Sequence, residues 1–180
     1  MEKTSNSHEY ESLNVGSHEI RLLELLPVVD DTQVCGRLIK QSLDQSPVYD
    51  ALSYTWGDPT QTVSITIDGD PAFQVTANLG RALQYLRLEQ DVRTIWIDSI
   101  CINQKDVKER SEQVSLMRKI YSNAATVRVW LDLEVNPADP AYNKLWFLQT
   151  IGDSGVGDEP EIWNSIAHIF LDLYWYRLWV

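Results

Sequence analysis

Between Ile20 and Val129 the apolar positions change period several times, and each change marks a new element. Ile20-Arg21-Leu22-Leu23-Glu24-Leu25-Leu26 is mostly apolar and stops at Pro27, which predicts a strand. Asp30-Asp31 marks a turn, and Cys35 to Ile39 predicts a second short strand. Pro47 to Gly57 reads as a buried strand running into a glycine turn. Val63, Ile65 and Ile67 then alternate with Ser64 and Thr66, and Asp68-Gly69 is a hairpin signal, so the return strand carries Phe73 and Val75.

Helical spacing comes next. Leu79, Ala82, Leu83 and Leu86 share one face, behind Thr76 or Asn78 as N-cap. The next strand spans 94–98. Asp106, with Glu109 three residues on, resembles a capping box opening a second helix. That helix is expected to bury Val114, Met117, Ile120, Tyr121 and Ala124 and to turn Glu109, Arg110, Glu112, Arg118 and Lys119 outward. Thr126 to Asp132 is the next strand. Strand, helix, strand, helix, strand from 49 to 132 predicts βαβ units, hence an α/β fold with a parallel sheet and flanking helices. The two earlier strands add an N-terminal β-hairpin region.

Beyond Asp132 the pattern loosens. Ala141 to Ile151 and Glu161 to Val180 read as helical, around an acidic, Gly-rich loop at 152–160. The last run, Tyr174 to Val180, carries no polar cap, so the pattern predicts a fold truncated at its C-terminus. Residues 1–17 are polar and Ser-rich and are expected to be disordered, which leaves one domain over 18–180 with its central motifs in 47–132.

Composition narrows the function. A chain of 180 residues holds one domain with a sizeable core. A formal net charge of -11 disfavours nucleic acid, whose phosphates need clustered Lys and Arg, and also an anionic membrane surface. Two cysteines make no disulfide scaffold, and neither a signal region nor a bilayer-length apolar run is present. The expected location is therefore cytoplasmic. Seven tryptophans point to large anchors in the core or at an interface.

Candidate chemistry gathers at three strand ends. In a parallel sheet these present Ser53, Tyr54 and Trp56, then Asp98, Ser99, Asn103 and Gln104, then Asp132. Together they predict a polar pocket with an aromatic wall, suited to a nucleotide or nucleoside. The competing account has Asp98 capping a loop, Trp56 filling core and Asn103 satisfying backbone groups, and on spacing alone it carries more weight. Cys101 has no histidine near it in sequence, since the three are His8, His18 and His168, so it reads as a small buried residue rather than a nucleophile. No metal-ligand spacing, P-loop or hydrolase elbow occurs. Asp106, Glu109 and Glu112 stand among Lys105, Lys108 and Arg110, as a solvated helix start does.

Tyr49-Asp50-Ala51-Leu52-Ser53-Tyr54-Thr55-Trp56-Gly57-Asp58 resembles the opening signature of the fungal heterokaryon incompatibility (HET) domain. Trp96 to Gln104 resembles its central motif, and Glu109-Arg110, Gln113-Val114, Ile120-Tyr121 and Val129-Trp130-Leu131 fit the remainder of the family's block. Asp132 departs from the Gly usual there. Trp175 to Val180 resembles a later element that normally continues into Gln-Glu, and that Glu would lie beyond Val180. The resemblance implies fungal non-self recognition and programmed cell death, through self-association or protein partners. It further implies a flavodoxin-like fold distantly similar to Toll/interleukin-1 receptor (TIR) domains. Several of those cleave NAD with a glutamate, so an NAD glycohydrolase is the alternative, with NAD as substrate and the absent Glu as its catalytic group. A decayed gene fragment is compatible with the same residues.

Overall fold

A computed structural model describes residues 8–27 and 33–130, which form seven strands and three helices. The strands are β1 (Glu19–Leu25), β2 (Cys35–Ser42), β3 (Asp50–Tyr54), β4 (Thr62–Ile67), β5 (Asp70–Thr76), β6 (Arg93–Trp96) and β7 (Thr126–Trp130). The helices are α1 (Ala77–Leu86), α2 (Asp98–Cys101) and α3 (Val107–Asn123). Asp132 and the two expected C-terminal helices lie outside the described residues.

All seven strands belong to one sheet, in the order β5-β4-β2-β1-β6-β3-β7. The expected parallel sheet is real for β6, β3 and β7, which pair in parallel. The sheet as a whole is mixed, because β1 runs antiparallel to both β2 and β6. The N-terminal hairpin joins the parallel strands directly, β1 pairing with β6, and extends them into one continuous sheet. β1 lies fourth of seven, and Ile20, Leu22, Leu23 and Leu25 are buried on both of its faces, as a central strand requires. At the far edge β4 and β5 form the expected hairpin, and its two turn residues, Asp68 and Gly69, both take positive φ (52° and 83°), as a type I′ turn demands.

Helices cover both faces of the parallel part. Trp96 pairs with Ala51 and Trp130 with Tyr54, three residues apart on β3, so the two indoles point to opposite faces. Trp96 meets Tyr121 of α3 edge-on at 5.5 Å, while Trp130 meets Tyr85 of α1 at 5.7 Å. Thr76 caps α1 by accepting from Leu79 N–H at 3.3 Å, and Leu79, Ala82, Leu83 and Leu86 are buried as expected.

The buried face of α3 is the expected one at Met117, Ile120, Tyr121 and Ala124 and departs from it at Val114. Val114 is 53% exposed, whereas Gln113 and Ile120 are buried and Leu116, Met117, Tyr121 and Ala124 pack half-buried against the core. Gln113 takes the inward place next to Val114 and has a specific partner there: its amide donates to the Glu19 carbonyl at 3.0 Å. A buried polar side chain with a backbone partner displaced the valine that hydrophobicity alone selected.

Candidate functional site

The segment after β6 is held from several directions. Cys101 is fully buried, and Ile100 and Ile102 are buried beside it, so the polar residues between them are forced outward at fixed positions. Asp98 opens the one-turn helix α2 and accepts from Ser99 N–H at 2.7 Å. Gln104 folds back to donate its amide to the Asp98 carbonyl at 2.8 Å. Asn103 accepts from Lys105 N–H at 3.2 Å. Burial pushes the Cys101 thiol up to about 12, which removes it as a nucleophile at neutral pH.

Two side-chain pairs link this segment to the end of β3. Tyr54 and Ser99 share a hydrogen bond of 2.6 Å between their hydroxyls. The Trp56 indole N–H points at the Asp98 carboxylate, 3.0 and 3.2 Å from its two oxygens. Trp56 is nevertheless 40% exposed, so it does not fill core; it is an aromatic plate fixed at one end and open at the other. Ser53 is buried and follows strand alternation, so its side chain leaves β3 on the face opposite Tyr54.

The expected pocket residues thus divide. Tyr54, Trp56, Asp98 and Ser99 come together. Ser99, Asn103 and Gln104 also line a cleft of about 580 Å³, whose other walls are His8 to Tyr10 and Phe73 and Gln74 of β5. Ser53 joins neither group, and Asp132 lies outside the described residues.

Two supporting arrangements were not visible in the sequence. Arg21, 2% exposed, reaches from β1 to Glu109 with two hydrogen bonds of 2.6 and 3.0 Å and also donates to the Cys101 carbonyl at 3.1 Å. Glu109 accepts from Asn103 N–H at 2.7 Å as well. Asp106 does cap α3, accepting from Lys108 and Glu109 N–H, but the reciprocal arm of the capping box goes to Asn103 instead. The second is Asn78 of α1, which donates to the Thr55 carbonyl at 2.6 Å and accepts from the Trp130 indole at 2.7 Å. It braces the ends of β3 and β7 together.

Residues 8–17, expected to be disordered, take a defined path over the described stretch. The Tyr10 hydroxyl donates to the Ile100 carbonyl at 3.0 Å, and its ring lies over the Arg21 guanidinium, 4.8 Å from centroid to carbon. Polar composition hid this anchoring because one aromatic residue supplies much of it. Among the described residues no group of three or more His, Cys, Asp or Glu gathers as metal ligands, and no helix is long and apolar enough to cross a membrane.

Comparison with known proteins bears on the whole domain. The family described as "Heterokaryon incompatibility protein (HET)" matches residues 49–180. The chain is 37% identical over 183 residues to "Heterokaryon incompatibility protein 6, OR allele" of Neurospora crassa. That alignment covers 91% of this chain and 26% of the relative, so the chain spans about a quarter of that protein's length. No solved structure matches the chain.

Proposed function

The chain belongs to the heterokaryon incompatibility family, and from that membership we propose that it is a non-self recognition module that signals programmed cell death. It acts in the cytoplasm, by self-association or by binding protein partners. The observation that carries the biological role is the family match, which runs through both the β3 signature and the segment after β6. The mode of action draws support from Trp56. A half-open indole held by a carboxylate loses little freedom on binding, which suits an anchor for a protein surface. A net charge of -11 argues against nucleic acid as the partner.

The test is cell death on expression in a fungal host, with Trp56→Ala and Asp98→Ala beside the unaltered chain. Loss of killing by both variants, with soluble protein at unchanged levels, supports the reading. Killing at full strength by Trp56→Ala would remove the anchor from it.

A second reading, NAD glycohydrolase, is favoured by one feature of the sheet. In the order β6-β3-β7, the first parallel strand stands between the second and the third, as at the start of a flavodoxin-like sheet. Such sheets take ligands outside the carboxyl ends of their strands, where Tyr54, Trp56 and Asp98 stand. In this scheme Trp56 stacks on a base and Asp98 holds ribose; Tyr54, expected to stack as well, is buried in the core with its hydroxyl on Ser99 and only supports that wall, and Ser53 contributes only through the far face of β3. The scheme needs a glutamate from beyond Val180. NAD loss should be measured with a form extended through the Gln-Glu element, and turnover that survives changing that Glu to Ala ends the enzyme reading.

A further inference from the structure

We propose that residues 8–14 form a detachable strap, and that two copies of this chain associate by exchanging it, each strap lying in the other copy's groove. The inference rests on the self-association reading above and supplies a route for it. The strap adds no strand to the sheet. It is held instead by point contacts, each to a group of the folded domain. Besides Tyr10 on Ile100 and Arg21, the Arg21 guanidinium donates to the Glu11 carbonyl, and Lys40 pairs with the Glu11 carboxylate at 3.0 Å. The His8 ring meets Phe73 edge-on at 5.4 Å. This is a groove that reads one aromatic ring, one carboxylate and the carbonyls of an extended peptide.

A second copy carries the same peptide, so the same contacts form between chains without any new surface. An open cleft of about 380 Å³ runs alongside the strap, lined by Tyr10, Glu11, Arg21 and Lys40, so water reaches one side of it. A segment with little buried apolar area and no ladder hydrogen bonds opens at low cost. The hinge favours opening as well. A 3₁₀ turn at Val15–Ser17 leads into His18, which is held at φ 46°, a left-handed conformation costly for a residue with a Cβ. Short strained hinges promote exchange of the segment they carry.

The β5 edge offers a poorer route to association. Pro71 interrupts it, and the Asp70 and Gln74 side chains take up the N–H and carbonyl of Ala72, at 2.9 and 3.1 Å. Strap exchange also reaches the candidate site, because His8, Glu9 and Tyr10 form one wall of the cleft that Ser99, Asn103 and Gln104 face. In the exchanged dimer that wall comes from the partner copy.

The test uses two full-length chains, Glu11→Cys and Lys40→Cys, each with Cys35→Ser, mixed and treated with a short bismaleimide linker. Exchange yields a cross-linked heterodimer whose amount rises with total concentration, in step with a dimer seen by sedimentation. Adding Tyr10→Ala to the Glu11→Cys chain weakens the same contacts in the closed monomer and in the exchanged dimer, so freshly mixed chains should exchange faster while the yield at equilibrium stays unchanged. Dimers in sedimentation without heterodimer cross-links, while a chain carrying both cysteines cross-links to itself, would overturn exchange and leave self-association standing. A rate of exchange that ignores Tyr10→Ala would overturn it too. Absence of dimers at every concentration removes both readings.

Discussion

Arg21 and Glu109 meet in a two-pronged ion pair, at 2.6 and 3.0 Å, that joins the central strand to the first turn of α3. Both side chains are largely withdrawn from water, with 2% and 11% of their surface exposed. Their spare capacity goes to the backbone of the candidate loop: Arg21 holds the Cys101 carbonyl and Glu109 holds Asn103 N–H. The pair therefore sets where Asp98, Ser99, Asn103 and Gln104 stand, without itself lying among them.

Removing one partner should cost far more than removing both charges. Arg21→Ala leaves the Glu109 carboxylate buried and uncompensated, with an expected loss of about 3–5 kcal/mol. Arg21→Met combined with Glu109→Gln discards both charges yet keeps an acceptor for Asn103 N–H. It should recover most of that loss. Urea denaturation of the three chains decides the matter, and a double variant as unstable as Arg21→Ala would show that packing, not charge, is what Arg21 provides.

This pair also marks the limit of what the residues disclosed by themselves. Strand and helix periods from β3 to β7 were legible because each element there is built from local alternation or one apolar face. The type I′ hairpin was legible from Asp68-Gly69. Tyr54, Trp56, Asp98 and Ser99 were legible as neighbours because parallel strands place their carboxyl ends side by side. What stayed hidden depends on distant partners. Gln113 faces inward to the Glu19 carbonyl, Glu109 leaves its capping box for Asn103 and Arg21, and β1 zips onto β6. None of these has a periodic signature, since a single long-range hydrogen bond or strand pairing outweighs the local preference it opposes.

The β4–β5 turn offers a test of backbone strain free of packing effects. Gly69 has φ 83°, and no atom lies within 4 Å of where its Cβ would be. Gly69→Ala therefore introduces no clash, only the left-handed conformation itself, and should destabilise by about 1–2 kcal/mol. Chemical denaturation measures it. A neutral effect would mean that the turn relaxes to another type without disturbing the strands.

Asp44 links the start of β1 to α3. Lys119 donates to its carboxylate at 2.8 Å, His18 approaches at 2.9 Å, and these hydrogen bonds, the Lys119 one first, hold its pKa below the usual carboxylate range. A depressed folded pKa means that the ionised form is favoured by folding. The contribution is present above the unfolded value of about 3.9 and is lost as pH falls through the folded value. Against Asp44→Asn, the unaltered chain should be the more stable at about pH 5, with the margin narrowing below about pH 4. The site is open to solvent, so added salt should shrink the margin. Urea melts of both chains across pH provide the comparison; a margin that widens in acid contradicts the assignment.

Asn78 is 5% exposed and spends both ends of its amide on the strand termini, donating to the Thr55 carbonyl and accepting from the Trp130 indole. Gly57, at φ 76°, lies against it, with an added Cβ only 3.1 Å from Asn78 Cβ, so the loop after β3 is fitted to this side chain. Asn78→Ala leaves both partners without their hydrogen bond. Because Thr55 and Trp130 are half-buried, water reaches them in part, and the loss should fall near the low end of the range for orphaned groups, about 1–2 kcal/mol. Asn78→Asp discriminates further: a carboxylate still accepts from Trp130 but cannot donate to Thr55, and it sets an anion against a carbonyl. The Trp130 indole N–H, monitored by hydrogen exchange, should be protected in the unaltered chain and in Asn78→Asp, and exchange fast in Asn78→Ala. Protection that persists in Asn78→Ala would mean that another group holds Trp130, and that α1 is not the brace joining β3 to β7 at the mouth of the sheet.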